Sequence, residues 1–146
     1  MSAQVERSVQ HATIVLERVV EAPAPRAYAA WIHPEGWDAP CELHEPRVGG
    51  RKLQTFSPTG EQKFREEGRY EDLVPDQRVV YAYSIFRDDV RITVSLQTLE
   101  FSPQGARTRL LLTEQLTVLD GGDRAAARER GNAEWLDRFA AALKRS

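Results

Sequence analysis

The sequence predicts an α+β domain in which a curved antiparallel sheet of about six to seven strands wraps around a long C-terminal helix. Three observations carry that expectation. Short segments rich in β-branched and aromatic residues follow one another from Ala12 to Leu119, separated by turn signals. Beyond Asp120-Gly121-Gly122 the apolar period becomes that of a helix, with Trp135, Leu136, Phe139 and Leu143 recurring on one face. A sheet of this size must cover its apolar face, and the last helix is the only element long enough to do so.

Taken in order, Ala12–Ala22 (ATIVLERVVEA) reads as a strand, ended by Pro23-Ala24-Pro25. Pro25 suits the first turn of a helix, where its missing N–H costs nothing. Arg26–Ile32 then places Tyr28, Trp31 and Ile32 on one helical face, and His33-Pro34-Glu35-Gly36 stops it. A second short helical piece is expected around Trp37, ending at Pro40. The period then becomes two, with strands over Cys41–Glu45, Arg51–Phe56, Lys63–Leu73, Arg78–Phe86, Val90–Phe101 and Arg107–Leu119. Glycine-, proline- and aspartate-bearing turns join them into an antiparallel meander. Asp123 is the expected N-cap of a helix reaching Lys144, a span of roughly 33 Å. Arg128 and Asn132 lie on its Leu136 side.

The 146 residues suit one domain with a core that needs no disulfide or metal. Residues 1–10 read as a flexible lead-in and 11–146 as the domain. With 20 basic and 22 acidic residues the net charge is −2, which gives nucleic acid no electrostatic footprint. The one cysteine, Cys41, fits a reducing compartment. No apolar run reaches the roughly 20 residues of a membrane helix. The polar N-terminal residues show no secretory leader, so the expected address is the cytoplasm.

Several short matches follow in a fixed order. They are Ala30-Trp31 with Pro34-Glu35, Trp37 with Pro40, Arg47-Val48-Gly49-Gly50, Val74-Pro75 with Arg78, and Tyr81-Ala82-Tyr83. Val94-Ser95-Leu96, Thr98 with Glu100-Phe101, Thr108-Arg109-Leu110, Thr113-Glu114-Gln115, Asp120-Gly121, Arg128 with Gly131, and Leu136-Asp137 complete them. In that order the chain resembles the SRPBCC superfamily, with its helix-grip (START-like, Bet v-like) fold. Within it, the chain resembles the bacterial branch grouped with activators of the heat-shock-protein-90 ATPase and often labelled polyketide-cyclase-like. The resemblance implies a cavity between sheet and C-terminal helix. It does not imply one activity, because the superfamily hosts lipid carriers, hormone receptors, cyclases and chaperone cofactors. Three positions depart from it: Pro46 stands where an acidic residue is expected, Ser84 where an aspartate is, and Trp135 is bulkier than its counterpart. Where these line the cavity, a ligand different from the relatives' is implied.

A curved sheet cannot touch a straight helix everywhere, and the residues expected to line the gap follow from alternation. On Lys63–Asp72, Phe64, Glu66, Gly68 and Tyr70 share one face, while Arg65, Glu67, Arg69 and Glu71 form a solvated ion-pair face. An inward Glu66 is costly unless paired. Glu114 shares a face with Thr108, Leu110, Leu112 and Leu116 and needs a donor too. The candidates are Arg128, the hydroxyl of Tyr81 or Tyr83, or a backbone N–H near Asp120-Gly121. On Val90–Phe101, alternation turns Ile92, Val94 and Leu96 inward and, if unbroken, Thr98 and Glu100 as well. A bulge near Gln97 would instead turn Leu99 and Phe101 inward. The expected lining is therefore Trp37, Phe56, Phe64, Glu66, Tyr70, Tyr81, Tyr83, Val94, Leu96, Leu112, Glu114, Asn132, Trp135 and Phe139.

No catalytic residue, metal ligand or cofactor is expected. His11, His33 and His44 lack metal-ligand spacing, and Cys41 reads as a partly buried structural thiol. The leading expectation is a protein that binds a small apolar, amphipathic or aromatic molecule, with nucleic acid and membrane excluded as partners and a homodimer left open. The alternatives are a cyclase, dehydratase or hydrolase using cavity carboxylates and tyrosines, and a chaperone-cofactor-like interaction module.

Overall fold

Alternating apolar segments joined by tight turns give a single antiparallel sheet, and the chain's first strand lies beside its last. The computed structural model describes residues 6–145. The elements are β1 (Val9–Val20), α1 (Ala24–Ile32), β2 (Leu43–His44), β3 (Arg51–Phe56), β4 (Phe64–Val74), β5 (Arg78–Arg87), β6 (Val90–Gln104), β7 (Arg107–Leu119) and α2 (Ala125–Arg145). The strand order is β1-β7-β6-β5-β4-β3-β2. From β2 to β7 this is a meander; only β1 departs, pairing with β7 from Val9↔Leu119 to Val20↔Thr108. The β5–β6 hairpin turns on Asp88 and Asp89, both in the left-handed region at φ 49° and 67°. Aspartate tolerates that conformation better than most residues, and the right-handed twist of the flanking strands favours it.

Two register shifts bend the sheet. One lies on β4 between Tyr70 and Asp72. The other lies where Ile85 pairs with Thr93 but Phe86 pairs with Arg91, which leaves Ile92 as the extra residue on β6. Helix α2 covers the inner face with Asn132, Leu136, Phe139 and Leu143 buried. Phe139 packs edge-on against Trp31 of α1 at 5.1 Å and meets Trp37 at 5.0 Å. Trp135 sits 4.5 Å from Trp31, so the two helices share one aromatic seam. No helix among the described residues is long and apolar enough to cross a membrane.

The Ile92 bulge corrects the expected lining. It puts Ile92 and Thr93 both on the inner face, at 4% and 0% exposure. Every later residue on β6 is thereby out of step with unbroken alternation: Ser95, Gln97, Leu99 and Phe101 point in, and Val94, Leu96 and Glu100 point out. Val94 and Leu96 are 39% and 38% exposed on the outer face and do not face the helix. The expected bulge exists, but it lies nearer the strand's start than Gln97.

Smaller differences concern ends. The piece around Trp37 is one hydrogen-bonded turn, with the Trp37 and Asp38 amides both donating to Pro34 O at 3.1 and 3.0 Å. β1 starts at Val9 rather than Ala12, and α1 starts at Ala24, with Pro25 in its first turn. The first five residues of the expected lead-in lie outside the described residues. Asp123 stands one place before the N-cap rather than at it: Arg124 O takes the Arg128 amide, and the Asp123 carboxylate accepts from the adjacent Arg124 amide and from the Arg128 side chain.

Phe139 is fully buried in the seam that joins both helices to the sheet. Phe139→Ala is expected to lower stability by about 3–5 kcal/mol. A urea denaturation midpoint matching that of the wild-type chain would contradict the packing described.

Candidate functional site

The inner face is not filled everywhere. Between β3–β6 and α2 lies a cavity of about 330 Å³, within the range of small-molecule sites. Strand alternation builds it: Lys52, Gln54 and Phe56 project from β3, Glu66 from β4, Tyr81, Tyr83 and Ile85 from β5, and Gln97 from β6. Arg128, Asn132 and Trp135 face them from α2, with Asp38 and Ala39 beside them from the turn before β2.

Behind one wall lies Glu114, fully buried. Its carboxylate takes Tyr83 Oη at 2.8 Å from either oxygen, Ser95 Oγ at 2.8 Å, Gln97 Nε2 at 3.1 Å, Arg128 Nη1 at 2.8 Å and Asn132 Nδ2 at 3.0 Å. Arg128 is held in turn by Thr93 at 2.8 Å and Asp123 at 3.2 Å. Burial pushes the Glu114 carboxyl up, but the Arg128 guanidinium and the hydrogen bonds from Ser95, Tyr83 and Gln97 outweigh it and hold the carboxyl below its usual value. Burial and the facing Glu114 charge push the Tyr83 hydroxyl far up, so it stays a donor. This set is saturated, and Glu114 has no spare capacity for acid–base work.

Glu66 is different. Its Oε2 accepts the Tyr81 hydroxyl at 2.8 Å and faces Lys52 Nζ at 3.3 Å. Lys52 lies between aromatic rings, 5.7 Å from the Tyr81 centroid and 5.8 Å from that of Trp135. Burial alone would lower the lysine; the Glu66 carboxylate reverses that and raises it, so Lys52 is an ammonium. Gly68 makes the arrangement possible, because a Cβ there would collide with the Tyr81 ring and hydroxyl. Tyr81 stacks on Tyr83 at 5.2 Å. Beyond it, Tyr70 is pushed up to about 12 by burial and bonds His44 Nε2 at 2.8 Å. Burial also lowers His44, which favours its neutral ring beside the Tyr70 hydroxyl. Burial raises the thiol of half-buried Cys41 as well.

Of the expected lining, Phe56, Glu66, Tyr81, Tyr83, Asn132 and Trp135 meet around this cavity. Trp37 and Tyr70 border a small adjoining void of about 20 Å³. Phe64 stacks on Phe56 at 5.4 Å, just outside the cavity. Leu112 and Phe139 are packed core, and Glu114 lies behind the wall rather than on it. Of the carboxylates weighed for chemistry, Glu100 faces outward. Among the departures from the resemblance, only Trp135 reaches the cavity. Lys52, Gln54 and Gln97 were not anticipated; the alternation Lys52, Gln54, Phe56 on β3 was the available signal. Among the described residues no cluster of three or more His, Cys, Asp or Glu side chains is arranged to hold a metal ion.

Residues 21–144 match the sequence model of the family described as Activator of Hsp90 ATPase homolog 1-like protein. A protein of known structure from Rhizobium leguminosarum is 32% identical with a TM-score of 0.88, over 97% of this chain and 99% of its own. Mll3558 from Rhizobium loti is 34% identical with a TM-score of 0.83, over 93% and 99%. CV1439 from Chromobacterium violaceum is 27% identical with a TM-score of 0.77, over 90% and 96%. No curated protein matches the sequence.

Removing the Glu114 charge leaves Arg128 with only Asp123 as an anionic partner. Glu114→Gln is expected to destabilise the chain by about 3 kcal/mol. Because the folded carboxyl is lowered, its contribution is full above the unfolded value of about 4.3 and fades as pH falls from there through the folded value. The wild-type chain should therefore lose more stability than Glu114→Gln between about pH 5 and 3. Parallel stability–pH curves for the two proteins would refute this.

Proposed function

The chain belongs to the Activator of Hsp90 ATPase homolog 1-like protein family, and from that membership we propose that it binds a small amphipathic molecule between its sheet and its C-terminal helix. One observation carries the reading: an inner face otherwise packed with leucine, phenylalanine and tryptophan leaves about 330 Å³ walled by both aromatic and polar side chains. Leucine or valine at Lys52 would have filled the core; the ammonium there favours a polar ligand group, whereas the Gln54 and Gln97 amides already donate to Ala39 O and Glu114. Trp135, Phe56 and the Tyr81–Tyr83 pair offer flat apolar surface for the ligand's body. The expected size is one or two fused rings.

Trp135 lines the cavity, so binding should quench or shift tryptophan fluorescence saturably. Trp135→Ala is expected to weaken binding about tenfold while leaving far-ultraviolet circular dichroism unchanged. Cys41 lines a separate surface depression, so Cys41→Ser should change binding by no more than a few-fold. Absence of saturable binding across a panel of aromatic and lipid-like compounds would remove the proposal.

A further inference from the structure

Two atoms at the cavity have capacity left over. Lys52 is 8% exposed and ion-paired, yet among the described residues none of its three N–H groups donates a hydrogen bond. Both contacts to Glu66 fall on Oε2, so Oε1 accepts nothing. No fully buried side-chain nitrogen or oxygen among the described residues lacks a hydrogen-bond partner. Lys52 Nζ and Glu66 Oε1 are therefore not sealed off, and both residues line the cavity. An incoming molecule meets a donor and an acceptor side by side.

Charge decides what fits. As a unit the pair is neutral; of the other charged lining residues, Arg128 is already paired with Glu114 and Asp123, and Asp38 and Arg138 add one charge of each sign. A ligand carboxylate brought to Lys52 would also lie beside Glu66 in a poorly solvated space, where like charges repel strongly. A ligand cation brought to Glu66 would meet Lys52 in the same way. A neutral group that accepts at one atom and donates at the next satisfies both without adding charge. We propose that this cavity selects neutral aromatic molecules carrying a carboxamide or an adjacent hydroxy-carbonyl group. The carbonyl oxygen accepts from Lys52, and the N–H or O–H donates to Glu66 Oε1. The flat body lies against Trp135, Phe56 and Tyr81. This specificity rests on the ligand-binding reading above.

The test is fluorescence titration of the full chain at pH 7 with 2-naphthamide, 2-naphthoate and 2-acetylnaphthalene. These probes share one body and differ only in the head group. 2-Naphthamide is expected to bind at least about tenfold more tightly than either of the others, because each leaves a buried polar group unpaired or adds a like charge. Glu66→Gln removes the repulsion and should raise naphthoate affinity by about tenfold while lowering that of naphthamide, a reversal that loss of structure would not produce. The wild-type ratio is informative without any variant. Equal binding of all three probes would overturn the specificity and leave the ligand-binding reading standing. Naphthoate binding as tightly as naphthamide, or an unchanged ratio in a folded Glu66→Gln, would overturn the specificity too. Binding of none would overturn both.

Discussion

The buried carboxylate of Glu114 is the constraint around which the inner face is organised. A charge in that position costs several kcal/mol to desolvate and is tolerated only with its donors in place. Those donors come from β5, β6 and α2: Tyr83, Ser95, Gln97, Arg128 and Asn132. Each is therefore fixed in position by a charge it cannot abandon. The consequence reaches beyond the pair. Positions that leucine would otherwise fill carry polar side chains committed to Glu114, and the apolar packing between sheet and helix stops there. The cavity begins where that packing ends.

The two inward carboxylates divide the work. Glu114 accepts from five side chains and is closed to any further partner. Glu66 satisfies one oxygen and leaves the other open, next to an ammonium with donors to spare. The difference follows from depth. Glu114 lies on β7, under the start of α2 and within reach of Arg128; Glu66 lies on β4, near the thin end of the sheet, where β2 has only two residues. A saturated group holds shape, and the unsaturated one is the group proposed above to meet a ligand. Gly68 joins the two regions, because it lets Tyr81 lie flat over β4, bonded to Glu66 and stacked on the Tyr83 that holds Glu114.

Much of this was legible in the sequence. The alternation of Thr108, Leu110, Leu112, Glu114 and Leu116 fixes the inner face of β7 without reference to any partner strand. Arg128, four residues before Asn132 and two turns before Trp135, lies on the helix face that must meet it. The pairing of β1 with β7 was not legible, because edge choice depends on distant contacts rather than on local pattern. Nor was the exact site of the β6 bulge: Val94 and Leu96 look like core, and only pairing with β5 reveals that Ile92 is the extra residue. Lys52 was missed for a different reason. A lysine in a short strand reads as solvent-facing, and its burial makes sense only once Glu66 stands opposite on β4, through the neighbouring pair Gln54↔Glu66.

The proposed division of labour, with Glu114 structural and Glu66 reading the ligand, is open to direct measurement. Side-chain NMR tests it directly, with ¹³C-labelled glutamate carboxyls and ¹⁵N-labelled lysine ammonium groups followed as 2-naphthamide is added. The Glu66 carboxyl and the Lys52 ammonium are expected to shift together and saturate with the ligand, while the Glu114 carboxyl stays where it was. A Glu114 signal that moves with the ligand while Glu66 and Lys52 stay fixed would contradict it.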